Sequence, residues 1–443
     1  MKKQTARDVA LRALLQIHRQ NGYSNIVLDQ ALNTSGLDSR DGALASAIVY
    51  GVLERRITLD YYLSQCLKDP RKKLDPTVQA ALRCGAYQIL FLDRVPDAAA
   101  VNETVNALKN MEKAQFSGFV NGVLRGLIRR KEQIKPPDGD SLRARSLRYG
   151  VPQELIGLWQ QSYGDEFTRS LLGSLMEKPA LYVRINKMKA TPQQLKAQLE
   201  AGGMELDLID NMDYAAILRG CGAPAHLAAF QEGLFHVQDL SAQMICQILA
   251  PNPSDIICDC CAAPGGKSFT LAQEAPGGRI YAFDLYESRV RLIRDGARRL
   301  GLDHVEASVN DAFKGFQNFP RFDRILCDVP CSGFGVIRRK PEIRYRPLAE
   351  IRDLPKLQYN ILLQASRALK SGGVLVYSTC TLNPAENREV AERFLQENSD
   401  FEAMNIDLEV TRCVVEPPYM LTMTPFTGAS DGFFAAAFQK KQG

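Results

Sequence analysis

The sequence predicts a multidomain chain: an all-α N-terminal third, a small α+β segment, and a C-terminal α/β doubly wound domain. Three observations predict it. Apolar residues recur at helical spacing across residues 5–135, residues 145–235 mix periods, and from about residue 236 strand-like runs alternate with helical ones. That alternation implies a mostly parallel sheet covered on both faces. The 443 residues suffice for two or three domains, and 45% hydrophobic with 24% charged content is that of a soluble globular chain.

In the first third, Ala6, Val9, Ala10, Ala13, Leu14 and Ile17 mark one helix face, and Ala43, Ala45, Ile48, Val49 and Val52 another. Phe119-Val-Asn-Gly-Val-Leu-Arg begins a closing basic helix with Arg125, Arg129, Arg130 and Lys131. Residues 1–150 hold 24 Lys and Arg against 15 Asp and Glu, a net +9, whereas the whole chain carries +5. Such an end either meets a polyanion or is a solvated helical surface, and charge alone does not choose. Pro136-Pro-Asp-Gly-Asp140 is a turn-rich break. Domains are therefore expected at 1–140, 145–235 and 236–443.

In the middle segment, residues 181–185 read as a strand, and Thr191-Pro-Gln-Gln starts a helix that ends near Gly202-Gly203. Trp159 lies in a helical pattern and is read as core. In the last domain the strand runs are 256–260, 279–283, 305–309, 324–327, 374–377 and 432–438, with helices at 287–300 and 354–369.

Between the first of these strands and the next helix lies Asp259-Cys-Cys-Ala-Ala-Pro-Gly-Gly-Lys-Ser268. Glycine lets backbone approach a ligand, and a helix start favours negative charge. A Walker A loop needs glycine where Cys261 stands, and the dinucleotide Gly-x-Gly-x-x-Gly is absent. An S-adenosylmethionine loop fits better; a plain strand-to-helix turn is the alternative. Asp284, Asp311 and Asp328 fall at the ends of the following three strands, where an acid holds a ribose diol or reaches an adenine edge.

Two further strand ends carry thiols, Cys331 in Asp328-Val-Pro-Cys-Ser and Cys380 in Ser378-Thr-Cys-Thr. The chemistry that calls for a thiol beside such a loop is methylation of a pyrimidine carbon. Cytosine C5 attacks a sulfonium methyl poorly until a thiolate adds at C6 and makes the ring enamine-like. A free thiol is mostly protonated at neutral pH, so the pocket is expected to lower its pKa. Metal binding is disfavoured: there are only four histidines, and strand alternation is expected to split Cys258, Cys260 and Cys261 between faces. Cys66, Cys84, Cys221, Cys246 and Cys413 read as small buried hydrophobes. Eleven cysteines, no signal-like apolar run and no membrane-length segment point to a reducing cytoplasm.

Taken with Val237-Gln-Asp-Leu-Ser-Ala-Gln, Gly335-Val-Ile-Arg-Arg-Lys-Pro-Glu-Ile-Arg and Tyr377-Ser-Thr-Cys-Thr, these motifs resemble the RsmB (Sun/Fmu) type of bacterial 16S ribosomal RNA cytosine-C5 methyltransferases. The resemblance covers essentially the whole chain. It implies a NusB-like helical RNA-binding domain, an α+β linker domain, and a Rossmann-like class I methyltransferase domain with a mostly parallel seven-stranded sheet. It implies that Cys261, Ala262, Ala263, Pro264, Gly265, Gly266, Lys267, Asp284, Asp311 and Asp328 line an S-adenosyl-L-methionine site. Cys380 is then the C6 nucleophile, and Cys331 assists adduct breakdown and product release. The partner is a loop or bulge cytidine of 16S rRNA, met by a monomer with no metal and no membrane. Arg338, Arg339, Lys340, Arg344 and Arg346 are expected to meet RNA phosphates or to be a solvated charge run. A non-catalytic NusB-like RNA-binding protein, a tRNA cytosine-5 methyltransferase and a small-molecule methyltransferase are the alternatives.

Overall fold

The computed structural model describes residues 4–20, 23–408, 414, 416–428 and 430–442; Cys413 lies outside them. Two compact units are present, Met1–Gln160 with Ile337–Arg346, and Gln161–Val336 with Pro347–Gly443.

The first unit is helical. Its helices include Ala6–Gln20, Ser39–Glu54, Pro76–Phe91, Asp97–Asn110 and Ser117–Arg130. Asp38 and Asp75 cap two of them by accepting backbone N–H bonds, and Pro76 occupies a first-turn position where its missing N–H costs nothing. The apolar stripes meet in a core containing Leu11, Ile48, Leu59, Leu82, Leu108 and Leu124. Helices approach closely at Gly51, where an added Cβ would lie 1.9 Å from the Tyr87 ring. Trp159 is fully buried, as its helical pattern predicts.

Residues 337–346 belong to this unit although they follow Cys331 in sequence. The Arg344 guanidinium donates to the carbonyl oxygens of Glu54 (2.9 Å) and Ile337 (3.2 Å). The Tyr345 hydroxyl donates to those of Leu53 (2.7 Å) and Gly150 (3.2 Å), and Arg56 stacks on its ring. Arg338 and Arg344 are buried. The expectation of an exposed basic run is therefore corrected for these two: both are buried, and Arg344 spends its charge on backbone carbonyls.

The second unit contains two sheets. The first is antiparallel, with β1 (Tyr182–Ile185), β2 (Glu205–Leu208), β3 (Ala215–Arg219) and β4 (Phe235–Val237) in the order β2-β3-β1-β4. Helix Pro192–Ala201 starts in a capping box made by Thr191 and Gln194, and Leu195 and Leu199 pack with Val183, Leu206 and Phe235. Buried Arg184 reaches Glu274 (2.6 Å), and Asn186 donates to the Leu300 carbonyl (2.9 Å), tying this sheet to the next layer.

The second sheet comprises β5 (Ile256–Asp259), β6 (Arg279–Asp284), β7 (Val305–Val309), β8 (Phe322–Asp328), β9 (Leu369–Thr379), β10 (Phe401–Ala403), β11 (Met420–Met423) and β12 (Phe433–Lys440). The order is β10-β12-β9-β8-β5-β6-β7, with β11 also on β12. Strands β5 to β9 pair in parallel and β10, β11 and β12 antiparallel. The expected seven strands become eight because β9 fills one edge of β12, while two short strands share the other. Helices at Gly266–Glu274, Glu287–Leu300 and Leu354–Ala368 cover the parallel strands. Register brings Asp284 beside Val309, and Asp328 beside Ser378, so the carboxylates and the Cys380 turn share one edge of the sheet.

Candidate active site

Each functional side chain lies at or just beyond the last residue of a parallel strand, where the chain leaves the sheet. After β5 the turn is held by backbone. Ala262 N–H donates to the Phe283 carbonyl (2.6 Å) and Gly265 N–H to that of Ala262 (2.7 Å). Gly265 has φ 111°, a left-handed conformation that an L side chain resists, and a Cβ there would meet the Phe269 ring at 2.3 Å. Cys261 and Ala263 are half-buried, Ala262 is buried and Pro264 is exposed. Asp259, the last residue of β5, accepts from Ser268 (2.6 Å); burial pushes its carboxyl up to about 7 despite that bond.

Lys267 ends the loop and meets Asp328 at 2.7 Å. Burial works to lower the Lys267 ammonium, but the Asp328 charge and hydrogen bond outweigh it and hold the value above the ordinary one. The other Asp328 oxygen accepts from Ser378 (2.8 Å). Asp284 is buried at the end of β6 and faces Arg289 at 3.4 Å. Asp311 lies two residues beyond β7 and accepts from Phe313 N–H (3.1 Å). Asp284 and Asp311 are each engaged within their own loops rather than with Lys267. Leu285, Tyr286, Val309 and Phe313 are 47–58% exposed around them. Sequence reasoning missed these four: Val309 closes β7, and the other three follow strands as ordinary loop residues.

S-adenosylmethionine fits this chemistry. The apolar residues suit an adenine, the Asp284 carboxylate a ribose diol, and the open helix start at Gly266 a carboxylate. A Cβ on Gly266 would touch nothing closer than Gln238 at 3.7 Å, so the turn leaves room.

The two thiols meet. Cys331 Sγ lies 3.2 Å from Cys380 Sγ, although 49 residues separate them. Hydrogen bonding with Cys380, then burial, pushes the Cys331 thiol well above its ordinary value. The expectation of a lowered pKa is corrected for Cys331, because a neighbouring sulfur and burial both disfavour its thiolate. Under the thiols lies a buried network also missed in the sequence, formed by Ser332, Thr381, Glu386 and Gln358. Asn383-Pro-Ala-Glu386 reads there only as a turn. Gly335 N–H donates to the Cys380 carbonyl (3.0 Å), and Gly432 N–H to that of Gly335 (2.9 Å).

The remaining cysteines sort by burial. Cys258, Cys260 and Cys327 touch on one face of β5 and β8, with sulfurs 3.7 and 3.6 Å apart. The expected split of Cys258 from Cys260 was wrong, since residues two apart share a face. Among the described residues no group of three or more His, Cys, Asp or Glu has a metal-binding arrangement, and no helix is long and apolar enough to cross a membrane. Cys84 and Cys246 are buried as expected; Cys66 and Cys221 are only half-buried.

A doubly wound sheet with this loop, these strand-end acids and these paired thiols defines an S-adenosylmethionine-dependent methyltransferase. Residues 246–439 match the family model of the 16S rRNA methyltransferases RsmB/F, residues 4–129 that of the NusB family, and residues 151–222 the ferredoxin-like domain of RsmF/B-like methyltransferases. The chain is 36% identical to the probable ribosomal RNA small subunit methyltransferase B of Bacillus subtilis, over 100% of both chains. It is 33% identical to ribosomal RNA small subunit methyltransferase B of Escherichia fergusonii, again over 100% of both. The chain belongs to the RsmB/F family and is an rRNA methyltransferase. The solved structure of PH0851 matches with a TM-score of 0.85 at 25% identity, covering 98% of each chain. NSun6 from Pyrococcus horikoshii, solved with an S-adenosylmethionine analogue, matches in fold with a TM-score of 0.61 at 21% identity, covering 66% of this chain and 99% of that one.

Proposed function

We propose that the protein methylates C5 of a loop or bulge cytidine in 16S rRNA through a transient Cys380–C6 bond, with Cys331 assisting its breakdown. The observation that carries this reading is the 3.2 Å approach of the two sulfurs beside the Lys267–Asp328 pair. S-adenosylmethionine supplies the methyl group; Cys261 to Lys267, Asp284, Asp311 and Asp328 are the residues proposed to hold it. Cys331, kept protonated, offers its S–H to the neighbouring sulfur and so favours charge on Cys380. The Cys380 thiolate adds at C6, C5 takes the methyl group, a base removes the C5 proton, and the Cys380–C6 bond breaks. Asp328, pinned by Lys267 and Ser378, is proposed to hold the base edge. Action in a reducing cytoplasm is proposed from the sequence, whose eleven cysteines are an odd number in a long chain.

Methyl transfer to unmethylated 16S rRNA tests the roles. Cys380→Ala is expected to lose about a thousandfold or more in turnover and to form no adduct. Cys331→Ala is expected to accumulate a protein–RNA species that survives a denaturing gel. Retained turnover by the first variant, or no such species with the second, overturns the respective role.

A further inference from the structure

The carboxylate of Glu386 is fully buried, lies six residues past Cys380, and is used by no step above. Its four contacts converge from three segments. Ser332 N–H donates to Oε2 (2.8 Å) and the Ser332 hydroxyl to Oε1 (2.5 Å). Gln358 Nε2 donates to Oε2 (3.0 Å), and Asn383 Nδ2 to Oε1 (2.8 Å). Gln358 Nε2 also reaches the Pro330 carbonyl (3.0 Å), so both neighbours of Cys331 are tied to this group. On the Cys380 side, Thr381 Oγ1 lies 2.6 Å from the Ser332 hydroxyl and accepts from Phe334 N–H (3.3 Å). The backbone carbonyl of Glu386 is itself held by the Tyr377 hydroxyl, anchoring it to β9. Each thiol thus sits on a loop whose adjacent residue is bonded to one buried clamp.

We infer that Glu386 is the positioning residue that sets the distance between the Cys331 and Cys380 sulfurs. The inference rests on the two-thiol reading, since a fixed separation matters only if both sulfurs serve one reaction. The bonding pattern makes the carboxylate, rather than its shape, the requirement. Both oxygens face N–H donors, Oε1 from Asn383 and Oε2 from Ser332 and Gln358. An amide at this position puts an NH2 against a donor whichever way it turns. The isosteric Glu386→Gln is therefore expected to disrupt. Changing Asn383 to Asp at the same time supplies an acceptor facing the new NH2 and restores the match.

Disulfide closure between the thiols is a ruler independent of methyl transfer. With diamide as oxidant, the two S–H bonds are lost, one S–S bond forms, and the azo group takes up two electrons and two protons to become a hydrazine. The sulfurs must close from 3.2 Å to bond length, so the rate reports their approach. The experiment follows the Cys331–Cys380 disulfide peptide by mass spectrometry after timed diamide treatment of the full chain, alongside kcat and S-adenosylmethionine Kd. Glu386→Gln is expected to slow closure about tenfold and lower kcat about a hundredfold, with Kd within about twofold of the parent. The Asn383→Asp, Glu386→Gln pair is expected to recover most of both. Ser332→Ala, which removes the hydroxyl's contacts with Glu386 and Thr381 and keeps the carboxylate, should slow closure by a smaller factor and serves if Glu386→Gln does not fold. Closure at the parent rate in Glu386→Gln, or in Ser332→Ala if that is the variant that folds, overturns the inference whatever happens to turnover. Slow closure in Glu386→Gln, combined with full activity in a separate Cys380→Ala variant, sinks the two-thiol reading instead.

Discussion

The cofactor half of the site and the thiol half are built by different means. The β5–β7 half is a backbone turn with strand-end carboxylates that have exposed apolar residues as near neighbours in sequence. The β8–β9 half is a buried mesh of side-chain hydrogen bonds beneath two sulfurs. The difference teaches where each half is sensitive. Backbone amides and a turn tolerate most neighbours, whereas a mesh fixes its thiols only while every donor meets an acceptor.

Three substitutions probe that contrast. The largest effect is expected at Gly335, where a Cβ would lie 1.8 Å from the Gly432 carbonyl oxygen and 2.9 Å from that of Cys380. Neither neighbour is a flexible side-chain end, so Gly335→Ala must displace the Cys331 loop from Cys380. Turnover should fall about a hundredfold with cofactor affinity intact, since a displacement of about an ångström at a reacting group costs that much. Equal losses in kcat and in affinity, by single-turnover kinetics and calorimetry, would erase the boundary between the halves.

A smaller effect, with the opposite signature, is expected at Asp284. Asp284→Asn removes a charged acceptor from the cofactor half and should weaken S-adenosylmethionine binding about tenfold, leaving kcat at saturation near the parent value. A kcat loss without an affinity loss places Asp284 in the wrong half.

The least visible effect is on stability and lies at Asp259. Its carboxyl is raised by burial from 3.8 to about 7, so between those values the folded protein holds a proton that the unfolded chain releases. The stability it contributes is present at low pH and lost as pH rises to about 7. His236 runs the other way: burial lowers it from 6.5 to about 3, so its contribution is lost as pH falls through that window. Removing Asp259 should therefore leave Asp259→Asn gaining stability relative to the parent as pH rises through this range, by roughly 4 kcal/mol at most. Denaturant melts at several pH values check it; a flat difference curve shows that the buried acid is not titrating.

Much of this was legible because periodicity reports burial. The parallel strands, the helix at Leu354–Ala368 and the Thr191 cap follow from apolar spacing and capping chemistry, and the strand-end positions of Asp284 and Asp328 follow from the strands. Five short strands, β2, β3, β4, β10 and β11, were less legible because they lie outside the strand–helix alternation that marked the equally short β5 and β7. The Glu386 clamp was hidden for a different reason. Its partners at Ser332, Gln358 and Asn383 come from three separate stretches of chain, and an Asn-Pro turn with a following acid has many uses. The rise in the Cys331 pKa and the burial of Arg344 likewise depend on neighbours supplied by distant segments.

Because residues 337–346 complete the helical unit, that unit cannot finish assembling when its own first 160 residues leave the ribosome. The carbonyls of Leu53, Glu54 and Gly150 wait for donors from Arg344 and Tyr345. At the usual pace of synthesis that delay is on the order of 10–40 s. A chain stalled before that point exposes an unfinished helical bundle to proteases and chaperones, which makes maturation of the first unit a late event in the life of the nascent polypeptide.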